Sequence, residues 1–164
     1  MSASVSARIG RVKPSPTLAA TARAAALRAE GKDIVSLTAG EPDFDTPAHI
    51  AEAGIAAIRS GHTRYTDVGG TPELKDAIIA KFERDNGLRY ARNQVLVSTG
   101  AKQTIYNLCM AVLDPGDEVV IPAPYWVSYP DMVGLADGRP VIVPTGPEQG
   151  YRMSPAQLEA AITP

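Results

Sequence analysis

The 164-residue chain has little that would let it live outside a reducing compartment. Its single cysteine, Cys109, rules out an internal disulfide framework. A lone thiol in an apolar run reads as a small buried hydrophobe. No stretch approaches the ~20 consecutive apolar residues that a membrane span needs. The first residues, MSASVSARIGRVKPSP, lack the apolar core of a secretory leader. Blocks of like charge are absent too: 16 Lys and Arg and 18 Asp and Glu are mixed along the chain for a net charge of −2. That balance gives no electrostatic footprint for nucleic acid or anionic lipid. Neither partner is expected, and a cytoplasmic protein is. Internal repeats and low-complexity segments are also missing. What is present, 45% hydrophobic and 21% charged residues, suits one globular domain.

Local signals divide the chain. Residues 1–16, with Pro14 and Pro16 and no sustained period, predict an extended arm that needs a surface to lie on. Thr17 to Ala29 is Ala-rich with helical spacing, and Gly31 stands where a C-terminal cap is expected. Ile34 to Leu37 predicts a short strand. Thr46-Pro47 and Thr71-Pro72 are two helix-start signals, the first helix running to about Ser60 and the second to Asn86-Gly87. Val95 to Ser98 predicts a strand, followed by a glycine turn and a helix whose inner face carries Ala101, Ile105, Leu108, Cys109 and Val112. A strand at Glu118 to Ile121 would complete a βαβ unit. A helix near Tyr129 to Ala136, a strand at Val141 to Val143 and a helix starting at Ser154-Pro155 follow. The alternation predicts an α/β architecture with a largely parallel sheet. With few strands in view and both faces of such a sheet needing cover, the chain is expected to be part of a larger fold.

The local pattern richest in chemistry is Ser98-Thr99-Gly100-Ala101-Lys102-Gln103, between a strand and a helix start. Backbone N–H groups at a helix N-terminus, with the positive end of the dipole behind them, suit a phosphate dianion. Taken alone, Gly100 is equally well explained by turn formation and Lys102 by a solvated helix surface.

Five segments change that balance by their order and spacing: SLTAGEPDFDTP (36–47), RYTDVGGTPELKDAI (64–78), STGAKQ (98–103), DPGDEVVIPAPYW (114–126) and VSYPDMV (127–133). Together they resemble the fold-type I pyridoxal-phosphate-dependent aminotransferases, in the bacterial aspartate/prephenate branch. The resemblance covers essentially the whole chain. It implies a three-layer α/β/α fold with a mostly parallel sheet, of which this chain is the beginning. Residues 1–45 would be the N-terminal arm and a small-domain segment, and 46–164 the first part of the large cofactor-binding domain.

By the same resemblance, Gly100, Ala101 and Lys102 form the cofactor phosphate loop and Trp126 stacks on the pyridine ring while contacting substrate. Tyr65 reaches the phosphate of the neighbouring subunit of a homodimer. Gly40 offers its amide to the substrate α-carboxylate where a side chain would block approach, and Lys13 in the arm meets the distal carboxylate of a dicarboxylic substrate. His49 and His62 match no role, and no metal site is expected. The family's catalytic lysine, its pyridine-nitrogen aspartate and its carboxylate-clamping arginine correspond to no residue here, so Lys102 is not promoted to that role. The expected parent enzyme moves an amino group between aspartate, or another dicarboxylic amino acid, and a 2-oxo acid by a ping-pong route, and residues 1–164 alone are expected to be inactive. Alternatives within the fold are a carbon-sulfur lyase or an aminocyclopropane-carboxylate-type synthase. A non-enzymatic aminotransferase-like effector domain is the alternative from another class.

Overall fold

Ser15 and Pro16 show how local chemistry starts a helix in this chain. The Ser15 hydroxyl accepts a hydrogen bond from the Leu18 N–H at 3.3 Å, and proline occupies the first position, where no N–H is needed. The computed structural model describes residues 4–163; the first three residues of the expected arm and the terminal Pro164 lie outside them. By contact the chain forms two units: Met1–Ala39 with Ala101–Pro164, and Gly40–Gly100.

The first unit holds α1 (Pro16–Ala29), α4 (Ala101–Val112), β1 (Glu118–Ala123), α5 (Ser128–Leu135), β2 (Arg139–Pro144) and α6 (Pro155–Ala161). Strands β1 and β2 are parallel, in register from Glu118 opposite Arg139 to Ala123 opposite Pro144. Parallel neighbours need a crossover, and α5 supplies it. Packing follows from that crossover: Cys109 of α4, Ile121 of β1 and Val133 and Ala136 at α5 form a buried cluster, with Ile105, Leu113 and Val119 against it. Cys109 is thus the buried small hydrophobe that its surroundings predicted. Helix α6 begins with a reciprocal cap: the Ser154 hydroxyl accepts from the Gln157 N–H while the Gln157 side chain accepts from the Ser154 N–H.

The arm does find a surface. A 3-10 turn, Ile9–Arg11, packs on α5. Arg8 and Arg11 each donate to one oxygen of Asp137, at 3.0 and 2.6 Å. Asp137 itself has φ +63°, a left-handed conformation that a non-glycine residue adopts only at a cost.

The second unit holds α2 (Ala48–Arg59) and α3 (Pro72–Asn86). Helix α3 starts as its sequence predicts, with the Thr71 hydroxyl accepting from the Leu74 N–H at 3.3 Å, and ends on Gly87 at φ +66°. Helix α2 departs slightly: Pro47 is its N-cap and the helix has no side-chain cap bond, so Thr46 does not cap it. After α3 the chain is tied back to it. Arg92 pairs with Asp76, the Nε–Oδ1 bond being 2.6 Å, and Tyr90 packs edge-on against Phe82 at 5.5 Å between ring centroids.

Two expected strands are absent among the described residues. Ile34–Leu37 is irregular, with Val35 and Leu37 almost wholly exposed. It is held to α1 by side-chain bonds instead, Arg28 donating to the Ile34 carbonyl and Thr21 to Thr38. Val95–Ser98 is likewise irregular and bonds to the backbone of the 69–70 turn through one link, Val97 N–H to the Gly69 carbonyl at 3.0 Å. The physical reason is common to both. A strand exists only with a neighbour of matching length, and among the described residues β1 and β2 are the pair that supply one to each other. The βαβ unit is therefore β1–α5–β2 rather than one starting at Val95.

Candidate functional site

The second unit ends on Gly100, and glycines shape the segment that leads to it. Upstream, Gly69 and Gly70 form a backstop for the 96–97 segment. Gly70 has φ +98°, and a Cβ there would stand 2.6 Å from Val97 Cγ2, so only glycine allows the approach. Three residues later Gly100 has φ +83° with open space where a Cβ would be. Its glycine identity serves the backbone conformation, not a tight contact. Its N–H donates to the Ser98 carbonyl at 2.8 Å. The donors this turn offers an anion are therefore the first-turn amides of α4, at Ala101 and Lys102, which have no carbonyl of their own helix to meet.

Lys102 brings a second kind of charge. Its ammonium lies 5.1 Å from the centroid of the Trp126 ring, within cation–π range. Trp126 follows the end of β1, where the Ala123–Pro124 peptide is cis, and its carbonyl accepts from Tyr129 N–H as α5 begins. About half of the Trp126 residue is open to solvent, at 47% exposure. A flat aromatic face thus stands beside an anion-suited helix start. This donor set fits a planar, phosphate-bearing cofactor: amides and an ammonium for the phosphate, an indole for the ring.

Lys13 belongs to the same unit. It lines a groove of about 530 Å³ with Arg11, Tyr125, Val127, Ser128 and Asp131, and Tyr125 and Val127 are the residues on either side of Trp126. A second recess of about 420 Å³, lined by Val12, Lys102, Tyr106, Ser128 and Leu135, lies between α4 and α5. Ser128 and Asp131 border both, so Lys13 and Lys102 line neighbouring recesses of the first unit, and Trp126 stands beside Lys102.

Gly40 and Tyr65 lie in the second unit. Gly40 is exposed, and an added Cβ would meet no atom within 4 Å. Tyr65 is fully exposed in the irregular stretch between α2 and α3. His49 is exposed in the first turn of α2, and His62 is exposed just past its end.

Sequence reasoning missed the Arg8–Asp137–Arg11 cluster. The hydrogen bond from Arg11, with the charges of both arginines, holds the Asp137 carboxyl below the usual carboxylate range despite some desolvation. The available signal was two arginines three residues apart in an arm with no acid of its own. Asp76 is lowered in the same way by Arg92, whose own guanidinium is correspondingly raised, and that pair braces α3.

A glycine turn feeding a helix start, with a tryptophan beside it beyond the end of a parallel strand, agrees with the class that the comparisons give. The chain belongs to the class I and II aminotransferases, whose family model matches residues 32–164. Among curated relatives it is 61% identical over 160 residues to the aspartate/prephenate aminotransferase of Nitrosomonas europaea, covering 98% of this chain and 40% of that protein. Among solved structures it matches the aspartate aminotransferase of Rhizobium meliloti with a TM-score of 0.95 at 50% identity, covering 99% of this chain and 41% of that one. It matches the aspartate aminotransferase of Thermus thermophilus with maleate with a TM-score of 0.92 at 48% identity, covering 99% and 42%. These likenesses carry the fold-type I α/β class expected from the sequence. The chain spans about 40% of the length of such relatives.

Proposed function

We propose that the whole protein containing this chain is a pyridoxal-phosphate-dependent aminotransferase that exchanges an amino group between aspartate, or another dicarboxylic amino acid, and a 2-oxo acid. The observation that carries this reading is the Lys102 ammonium over Trp126 at the start of α4. When bound, the cofactor supplies the electron sink that makes the substrate α-proton removable. This chain's residues bind and orient. The Ala101 and Lys102 amides and the Lys102 ammonium hold the phosphate. Trp126 fixes the ring plane and keeps water from one face. The Gly40 amide is offered to the α-carboxylate and Lys13 to the distal one.

Residues 1–45 then form the arm with a small-domain segment, and 46–164 the first part of the large domain. The full exposure of Tyr65 supports a homodimer in which that hydroxyl serves the partner's phosphate. A cytoplasmic location goes with this reading.

The test is direct. The whole protein with cofactor should convert aspartate and 2-oxoglutarate to oxaloacetate and glutamate, and residues 1–164 should not. Borohydride treatment of residues 1–164 with cofactor should leave no single lysine specifically modified by mass spectrometry. Turnover by the short chain, or none by the whole protein, would overturn the proposal.

A further inference from the structure

Asp137 is an aspartate where the backbone calls for glycine. At φ +63°, with Gly138 next in sequence, it occupies the left-handed region, which an aspartate enters when its short side chain is hydrogen-bonded. Such a residue persists when its side chain is used. Here both carboxylate oxygens are used, one by Arg8 and one by Arg11. The arginines sit three apart around one 3-10 turn, where side chains at that spacing eclipse, so they present as a pair.

The clamp bears on Lys13 through chain geometry. Lys13 follows Arg11 by two residues, a span of at most about 7 Å. On its other side Pro14 and Pro16 stiffen the chain, and Ser15 is fixed as the cap of α1. Lys13 is therefore suspended between two anchors over the groove that passes Tyr125 and Ser128. Val12, between clamp and lysine, seats in the neighbouring recess beside Lys102. A flexible ammonium on a loose arm would lose conformational entropy on every encounter with a carboxylate; an anchored one has already lost most of it.

We propose that Asp137, gripped by Arg8 and Arg11, is a positioning residue that holds the arm so that Lys13 meets the distal carboxylate of a dicarboxylic substrate. The inference rests on the reading of Lys13 given above. It adds Asp137, Arg8 and Arg11 to the specificity apparatus, acting through Lys13.

The experiment compares D137N, K13A and the double variant in the whole, cofactor-loaded protein. D137N keeps a side chain that tolerates the left-handed backbone and removes only the charge. Three quantities are read: the ratio of kcat/KM for aspartate to that for a monocarboxylic amino acid, the Kd of succinate as an unreactive dicarboxylate, and the rate of trypsin cleavage after Arg8 and Arg11. D137N should lower the ratio about tenfold, through KM rather than kcat, and weaken succinate by a similar factor. It should also expose both arginines to trypsin. The double variant should be no more impaired than K13A, because both act through one contact. If D137N folds poorly, R8A makes the same test from an exposed arm residue, with trypsin cleavage read after Arg11. Equal losses on both donors would mean a general structural role and overturn the proposal. Unchanged succinate affinity in D137N, with affinity lost in K13A, would overturn the clamp and leave the Lys13 reading intact. No selective loss in K13A would overturn the Lys13 reading, and the proposal with it.

Discussion

Replacing Gly70 with alanine isolates the backstop behind the phosphate turn. Two costs add at this position. The left-handed backbone, φ +98°, costs an alanine about 1–2 kcal/mol. The new methyl would lie 2.6 Å from Val97 Cγ2 and 2.8 Å from Val97 Cβ, an overlap that Val97 or its backbone must relieve. Overpacking of that kind costs about 1–3 kcal/mol. The expected sum is about 2–5 kcal/mol. Gly87→Ala is the internal control, since its φ of +66° carries the backbone cost while no atom lies within 4 Å of the added carbon. Chemical denaturation of both variants in the whole protein should rank Gly70→Ala as the more destabilised by at least about 1 kcal/mol. Adding Val97→Ala should return part of the difference, as expected of residues in contact. Cofactor affinity gives a second axis: Gly70→Ala should weaken it, because residues 96–97 lead directly into Gly100, whereas Gly87→Ala at the far end of α3 should not. Equal destabilisation by the two alanines would refute the steric argument.

Three further outcomes follow from other parts of the structure. Lys102→Met keeps the stem over Trp126 and removes the charge, so equilibrium dialysis should show cofactor affinity reduced about tenfold; an unchanged affinity would return Lys102 to the solvated surface. The Asp137 carboxyl is lowered in the folded state, so its contribution is complete above the ordinary aspartate value of about 4 and is lost as pH falls through the lowered value. Hydrogen exchange corrected for intrinsic rates should therefore show residues 4–14 protected at pH 6 and released at acid pH before the α4–α5 core opens, with the pH dependence absent in D137N. Cys109→Ser places a hydroxyl in the apolar cluster of Ile121, Val133 and Ala136 and should cost about 1–3 kcal/mol in denaturation, while the native thiol should resist a thiol reagent until the protein unfolds.

What could be read from the residues alone divides along a physical line. Thr71-Pro72, Gly87 and Ser154-Pro155 act within a few residues of themselves, and the helices they bound lie where those signals put them, while Ser15 and Pro16, read as the end of the arm, begin α1. The Ile34–Leu37 and Val95–Ser98 segments have strand composition, but a strand depends on a distant neighbour and composition does not report one. The parallel pairing of Glu118–Ala123 with Arg139–Pro144 was visible in outline because each has the other, one short crossover away. At the site, the helix-start argument reached Gly100 to Lys102 unaided but assigned Gly100 an amide that the Ser98 carbonyl accepts from. Trp126, Tyr65, Gly40 and Lys13 took their roles only from resemblance, since a single tryptophan or an exposed tyrosine carries no spacing that distinguishes use from packing. Asp137 was hidden for a different reason. Asp-Gly reads as an ordinary turn, and its partners lie 126 and 129 residues away.

Helix α5 has eight residues and is about 12 Å long. Trp126 and its carbonyl sit at one end, Asp137 with the arm hangs from the other, and the Val133 side chain between them is sunk in the core. So short a rod does not bend, and a sideways or axial slip of even a fraction of an ångström is shared by both ends. The aromatic plate and the arm's mooring therefore ride on one carriage. A substitution under α5 that retunes how tightly the ring is gripped will also retune how the arm hangs, and selection acting on either property must accept the other's response.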